Sequence, residues 1–310
     1  LKAVNLGADT GATATVGGVV YATNIKTNGV GTVHFAGDVN GIVTFDGEDG
    51  FITVAADKKI VGVIATAATN TGTITFANSA TDTTVASTTI GASGAGVLKA
   101  VNLGAGTGAT ATVGGVIYAT NVNVNGLGTV DFDGDVNGIV TFDGENGFIT
   151  VADGKKIVGA ITTTSSGSGT VTFEDSATNV TLASSTIGAD GALLKLVTLG
   201  ADVATATVTV GGVIYATDVK VSAGSIGTAN FNGDVNAIVT MLGENFITVA
   251  ADQKIVGNVV NDGTGDHGTI TFANSATDTT VASALIGTSG TGILKAVNLG
   301  ADTGATATVG

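Results

Sequence analysis

LKAVNLGADTGATATVG, residues Leu1 to Gly17, returns without a change as Leu294 to Gly310. Near copies begin at Leu98 (LKAVNLGAGTGATATVG) and at Leu194 (LKLVTLGADVATATVTVG). The chain is therefore three units, residues 1–97, 98–193 and 194–293, followed by the start of a fourth, 294–310. A fixed period of this length marks stacked or beaded architecture, in which a unit depends on its neighbours for burial, and argues against one globular enzyme. The pattern runs into both ends, so the sequence reads as a window of a longer array.

Within the first unit, short alternating segments recur between turn signals: Ala14–Val16, Val19–Thr23, Thr32–Phe35, Ile42–Phe45, Phe51–Val54, Ile60–Ile64 and Thr73–Phe76. Each has period-two character and is bounded by Gly, Asn or Asp, which is the strand pattern. No segment carries a sustained helical period, so the expected class is all-β. Two architectures remain open. One is a parallel β-solenoid, whose turns each add short strands to several sheets and stack aliphatic side chains inside. The other is a string of β-sandwich domains, one per unit.

The motif Gly-Thr-x-x-Phe favours the solenoid. It occurs at Thr32–Phe35 and at Thr73–Phe76, 41 residues apart, the length of two turns of about 20 residues. That spacing predicts about five turns per unit and a rise of about 24 Å. No charged or proline-bearing linker separates the units, and Ile90–Val97 runs straight into Leu98. Asn-Gly and Asp-Gly pairs (Asn28-Gly29, Asn40-Gly41, Asp46-Gly47, Asn125-Gly126, Asp143-Gly144) point the other way, because they are strong hairpin signals. They serve equally as tight solenoid corners.

Aligned positions across the copies indicate the inside. Phe45 and Phe142 become Met241, a volume-conserving apolar exchange. Phe35/Phe132/Phe231, Phe51/Phe148/Phe246, Phe76/Phe173/Phe272 and Tyr21/Tyr118/Tyr215 are retained and are expected inside. His34 aligns with Asp131 and Asn230, the drift of an exposed position.

Composition bounds the function. The chain has 49 glycines and lacks proline, cysteine and tryptophan; 25 acidic residues against 11 lysines give a formal charge of −14. Mean hydropathy is +0.47, which supports a large aliphatic core rather than disorder. An acidic surface without basic stripes excludes nucleic acid as a partner. No apolar run is long enough to cross a bilayer as a helix.

Chemical constellations are sparse. His34 and His267 occupy unrelated repeat positions with no ligand-spaced neighbour, and read as surface residues. The best oxygen-rich cluster is Asp46, Glu48 and Asp49, matched by Asp143 and Glu145 and reduced to Glu244 in the third copy. With Asp38, Asp135 and Asp234 it is a weak calcium candidate, because neither EF-hand nor β-roll spacing is present. A solvated turn is the simpler reading. Lys58-Lys59, Lys155-Lys156 and Lys254 each follow an acidic residue and serve to blunt an edge or pair with that acid. Ser79, Ser176 and Ser275 share one position but lack a histidine partner. Thr-x-Thr steps such as Thr73-Ile-Thr75 hint at an ice-binding face, yet in sequence they do not recur turn after turn. No enzyme, no cofactor and no metal site is expected.

Three phrases carry a resemblance: Ile187-Gly-Ala-Asp-Gly-Ala-Leu-Leu-Lys195, Gly114-Gly-Val-Ile-Tyr-Ala-Thr120, and Gly169-Thr-Val-Thr-Phe173 followed by Asp175-Ser-Ala-Thr178. The units resemble the passenger repeats of rickettsial outer membrane protein A and related surface cell antigens. The resemblance implies an autotransporter passenger displayed on a Gram-negative cell, adhering to host cells through a surface receptor or glycan. Anchoring in the outer membrane would then reside in segments outside this stretch. The period here is longer than in those repeats. The expected function is thus a non-enzymatic extracellular stalk or fibre on a bacterial surface. The alternatives are a self-assembling extracellular filament, matrix or surface layer, and a glycan-binding module.

Overall fold

A computed structural model describes residues 1–176, 179–201, 206–221, 227–261, 267–282, 285–287 and 293–309. Among them there is no helix: the elements are short β-strands paired in parallel with the strand one turn away. The chain is a β-solenoid. It divides into two compact units, Leu1–Thr150 and Val151–Gly310. Copy junctions lie inside both.

In the first unit the strands Thr13–Val16, Thr32–Phe35, Phe51–Val54, Thr71–Phe76, Leu98–Gly104, Ile117–Asn125 and Val136–Phe142 line up in one sheet. Their inward side chains form the ladder Ala14–Val33–Ile52–Ile74–Val101–Val122–Val140. Beside it runs Val16–Phe35–Val54–Phe76. Two further ladders close the interior: Val20–Val39–Ile60–Ala86–Val113 and Ile25–Val43–Ile64–Ile90–Ile117. Nearly all of these side chains are fully buried. Alternation at period two sends the residues between them outward.

The second unit is built alike. Its inward ladders include Val171–Val197–Val219–Val239–Val259 and Ile187–Ile214–Val235–Ile255–Ala282. The first crosses the junction between Leu193 and Leu194, as the Ile90–Ile117 step crosses the junction between Val97 and Leu98. Separate sandwiches would have sealed these junctions. Within each unit the copies on either side of the junction instead share an apolar interior.

The turn count differs from expectation. Turns read along the ladders take 18 to 27 residues, the short ones from Ile25 to Val43 and the long ones from Ile90 to Ile117. Four turns carry Val20 to Val113, a span of 93 residues, so a 97-residue copy makes just over four turns rather than five. The 41-residue motif does span two turns, Phe35 to Val54 to Phe76, but the turns after it are longer. One consequence is rotational. Ile117, the counterpart of Val20, stacks not above Val20 but above Ile25, Val43, Ile64 and Ile90. Within this unit the second copy is turned one ladder around relative to the first.

One expected interior position is outside and a second is only partly covered. Phe51, Phe148 and Phe246 are 43%, 41% and 43% exposed, and Tyr21 is 69% exposed while Tyr118 and Tyr215 are half-buried. In Phe-Ile-Thr-Val the isoleucine and valine take the core side, so pleating forces the phenylalanine onto the face. Phe35, Phe45, Phe132, Phe142, Phe173, Phe231, Phe272 and Met241 are buried as expected.

Asn28-Gly29 and Asn125-Gly126 end strands at parallel corners instead of hairpins, whereas Asn40-Gly41 lies within the strand Val39–Phe45. Gly29 sits at φ +89°, a left-handed value that glycine adopts without penalty, and a Cβ there would collide with the carbonyl oxygen of Ala8 in the preceding turn. Gly29→Ala is expected to lower unfolding stability by about 2 kcal/mol or more, measurable by urea denaturation. A loss below a few tenths of a kcal/mol would contradict this packing.

Candidate binding face

The outward residues of the first unit's long sheet form two parallel columns. One is Thr15–His34–Thr53–Thr75–Asn102–Asn123–Thr141. The other, two residues earlier on each strand, is Thr13–Thr32–Phe51–Thr73–Ala100–Asn121–Ile139. Parallel pairing places successive members of a column about 4.8 Å apart. At that distance short polar side chains reach one another. His34 Nδ1 bonds Thr53 Oγ1 at 2.8 Å, Asn102 Nδ2 donates to Thr75 Oγ1 at 2.8 Å, and Asn123 Nδ2 donates to Asn102 Oδ1 at 2.7 Å. The face is thus stiffened by its own side chains.

The second unit repeats the arrangement. Thr181–Thr209–Asn230–Thr248–Thr271–Asn298 form one column, with Asn298 Nδ2 donating to Thr271 Oγ1 at 3.1 Å. Thr207–Thr228–Phe246–Thr269–Ala296 form the other. A shallow depression lies over Asn179, Val180, Thr181, Thr207 and Thr209. Sequence spacing hid this stacking because turns of unequal length place Thr-x-Thr steps at irregular intervals. The recurrent partner of each step, Thr-x-His/Asp/Asn, was the signal that could have revealed it.

The calcium candidates do not converge. Asp46 Oδ1 lies 3.5 Å from Lys26 Nζ, and Asp49 Oδ2 lies 2.5 Å from Lys99 Nζ. Glu48, Asp143 and Glu145 point into solvent. Asp38 and Asp234 accept the backbone N–H of Lys59 and Lys254 from the next turn. At the position of Asp49 the third copy has Asn245, whose Nδ2 donates to the carbonyls of Leu242 (2.9 Å) and Val221 (3.2 Å). That donation ties a corner to the turn below, a role for an amide rather than for a metal ligand. Among the described residues no group of three or more His, Asp or Glu side chains is gathered for a metal ion. Millimolar calcium and a chelator are expected to give the same melting temperature; a rise with calcium would contradict the lysine pairing.

The other singled-out residues are structural. Ser79, Ser176 and Ser275 are buried, and the last two accept turn amides, from Gly154 and Asp252. His267 Nδ1 lies 3.6 Å from Glu244 Oε1, a charged pair only when the imidazole is protonated. Residues 262–266 of its loop, and residues 177–178 of the Asp175–Thr178 phrase, lie outside the described residues. Asn261 Nδ2 closes that loop on the carbonyl of His267 at 2.8 Å.

Asp57 occupies a left-handed corner, φ +57°. Its Oδ1 accepts the backbone N–H of Thr81 (3.0 Å), the Thr81 hydroxyl (3.1 Å) and the backbone N–H of Ala80 (2.9 Å). These bonds, the Thr81 amide foremost, together with the charge of Lys58 hold the carboxyl below its usual range. A carboxyl depressed on folding contributes stability above its unfolded pKa of about 3.9. That contribution disappears as pH falls through the lower folded value. The melting temperature should therefore decline below about pH 4, and less steeply in Asp57→Asn. Parallel acid profiles for the two proteins would refute this.

No protein-family profile, curated protein or solved structure matches this chain.

Proposed function

We propose that the chain is a structural and adhesive section of an extracellular bacterial surface protein, a β-solenoid stalk with no catalytic role. The observation that supports this reading most directly is the aliphatic ladder Ile64–Ile90–Ile117, which passes the Val97–Leu98 junction without a break. Copies joined through a common interior transmit load and orientation, whereas beads on linkers do not. The acidic exterior and polar outward columns suit a surface held in water. The resemblance to rickettsial passenger repeats supplies the surface and autotransporter part of the proposal.

The test is length against copy number. Four turns at about 4.8 Å predict that each added copy lengthens the molecule by about 20 Å. Small-angle scattering on chains of two, three and four copies measures the increment. Increments above about 30 Å, or scattering from hinged beads, would contradict the stalk. Adhesion is tested by coating beads with the chain and scoring retention on epithelial cells; retention no greater than that of albumin-coated beads would remove the adhesive part.

A further inference from the structure

Each copy exposes one phenylalanine, and Phe51 and Phe246 each have threonine on both sides in their column. Phe51 stands in its column between Thr32 and Thr73, with His34, Thr53 and Thr75 in the adjacent column. Phe246 stands between Thr228 and Thr269, beside Asn230, Thr248 and Thr271. Phe148 begins the strand that neighbours Thr129–Phe132. Threonine serves the sheet well on both sides of Phe51, so the pleat itself does not demand an aromatic ring. A half-exposed ring leaves apolar area in water. All three copies nevertheless keep it, while a repeat position on the neighbouring strand changes from His34 to Asp131 to Asn230.

We propose that these phenylalanines, with the hydroxyls that ring them, are binding sites for a neutral saccharide, one site per copy. The inference rests on the reading of the chain as an adhesive surface array and names its partner. A sugar ring has the matching surface: a face of C–H groups to stack on the aromatic ring, and a rim of hydroxyls within reach of threonine Oγ and the Asn230 amide. His34 adds Nε2, since Nδ1 is engaged with Thr53.

A protein partner fits the face less well. The next large apolar side chain in the Phe51 column, Ile139, is four turns away. Stable protein interfaces bury about 1,200–2,000 Å² around an apolar centre. Anionic saccharides are disfavoured by the charge of −14 and, in the second copy, by Asp131 on the strand next to that of Phe148. Phe148 belongs to the strand stacked on the ladder of Val20, Val39, Ile60, Ala86, Val113 and Phe132, not on that of Phe51. Within the first unit the two sites therefore face different directions, which suits capture of separate chains on a crowded surface.

The experiment uses the labelled 310-residue chain on an array of neutral glucose, galactose and N-acetylhexosamine oligomers, with sialylated and sulfated oligomers alongside. Phe51→Thr/Phe148→Thr/Phe246→Thr removes the rings, and Phe51→Trp/Phe148→Trp/Phe246→Trp enlarges them. Circular dichroism and melting establish that both variants fold. The expected result is saturable binding to a neutral class, weakened about tenfold in the threonine variant and kept in the tryptophan variant. Because the native chain lacks tryptophan, a blue shift of indole emission on adding the bound oligomer reports stacking directly. Absence of saturable binding to any neutral oligomer, undiminished binding by the threonine variant, or binding confined to the anionic oligomers would overturn the proposal. None of these outcomes alters the length increment, so failure of the site and failure of the stalk are separable.

Discussion

Replacing Ile90 with aspartate is expected to abolish cooperative folding at neutral pH. Ile90 is fully buried and stacks between Ile64 and Ile117, at the step where the first copy gives way to the second. The substitution removes a buried aliphatic side chain, costing about 2–5 kcal/mol. It also forces a carboxylate into a site with no cation, or holds that carboxyl neutral at a further cost of several kcal/mol. A total on the order of 5 kcal/mol or more rivals the whole stability of an ordinary domain. Ile90→Val, which preserves the ladder, should cost only about 0.5–1.5 kcal/mol. Guanidinium titration followed by circular dichroism measures both. Because the ladder is shared, limited proteolysis of the aspartate variant should cut on both sides of the junction. Cleavage confined to the first copy would mean that the copies fold separately.

The second large effect is expected at Gly72. Its φ is +76°, and a Cβ there would drive into the ring of Phe45 in the turn below. The left-handed backbone penalises alanine by about 1–2 kcal/mol, and overpacking against a rigid buried ring adds about 1–3 kcal/mol. The third copy supplies an internal control. Gly268 has the same backbone, φ +75°, but its neighbour is the flexible side chain of Met241. Methionine can move aside, so Gly268→Ala should lose little beyond the backbone term. The expected order is Gly72→Ala worse than Gly268→Ala by about 1–3 kcal/mol. Equal losses would show that the ring is not what glycine accommodates. The Phe-to-Met exchange between copies thus belongs to a packing pair, and is more than a tolerated volume match.

Much of the architecture was legible in the residues. The verbatim return of Leu1–Gly17 announced stacking, and period-two segments such as Thr32–Phe35 and Thr73–Phe76 marked real strands two turns apart. The turn number was not legible, because corner length is set by local geometry. After Thr66 the corner is closed by a part-buried hydroxyl pair, Thr66 Oγ1 to Thr71 Oγ1 at 2.7 Å, and a further strand, Thr83–Ala86, is then added to the turn. Those 26- and 27-residue turns reduce five expected turns to just over four. Retention across copies also misled at Phe51, where an aromatic side chain lies outside; repetition marks a shared environment and leaves open which side of the sheet supplies it. The polar columns were unreadable for a related reason. Thr15, His34 and Asn102 are neighbours in a column only once the unequal turns are closed. Asp46, Glu48 and Asp49 looked like a cluster because they are adjacent in sequence, whereas lysines from other turns engage two of them.

Native-state hydrogen exchange at the junction between the first two copies tests the shared interior most directly. The Ile90 amide donates to Val116 at 2.9 Å and the Tyr118 amide donates to Ile90 at 2.7 Å, so both bridge residues on either side of Val97–Leu98. Protection equal to that of Val43 or Ile74, lost in one transition with them, is the predicted result. Rapid or separately melting exchange at Ile90 and Tyr118, with protection confined to the middle of each copy, would contradict an interior shared across this junction.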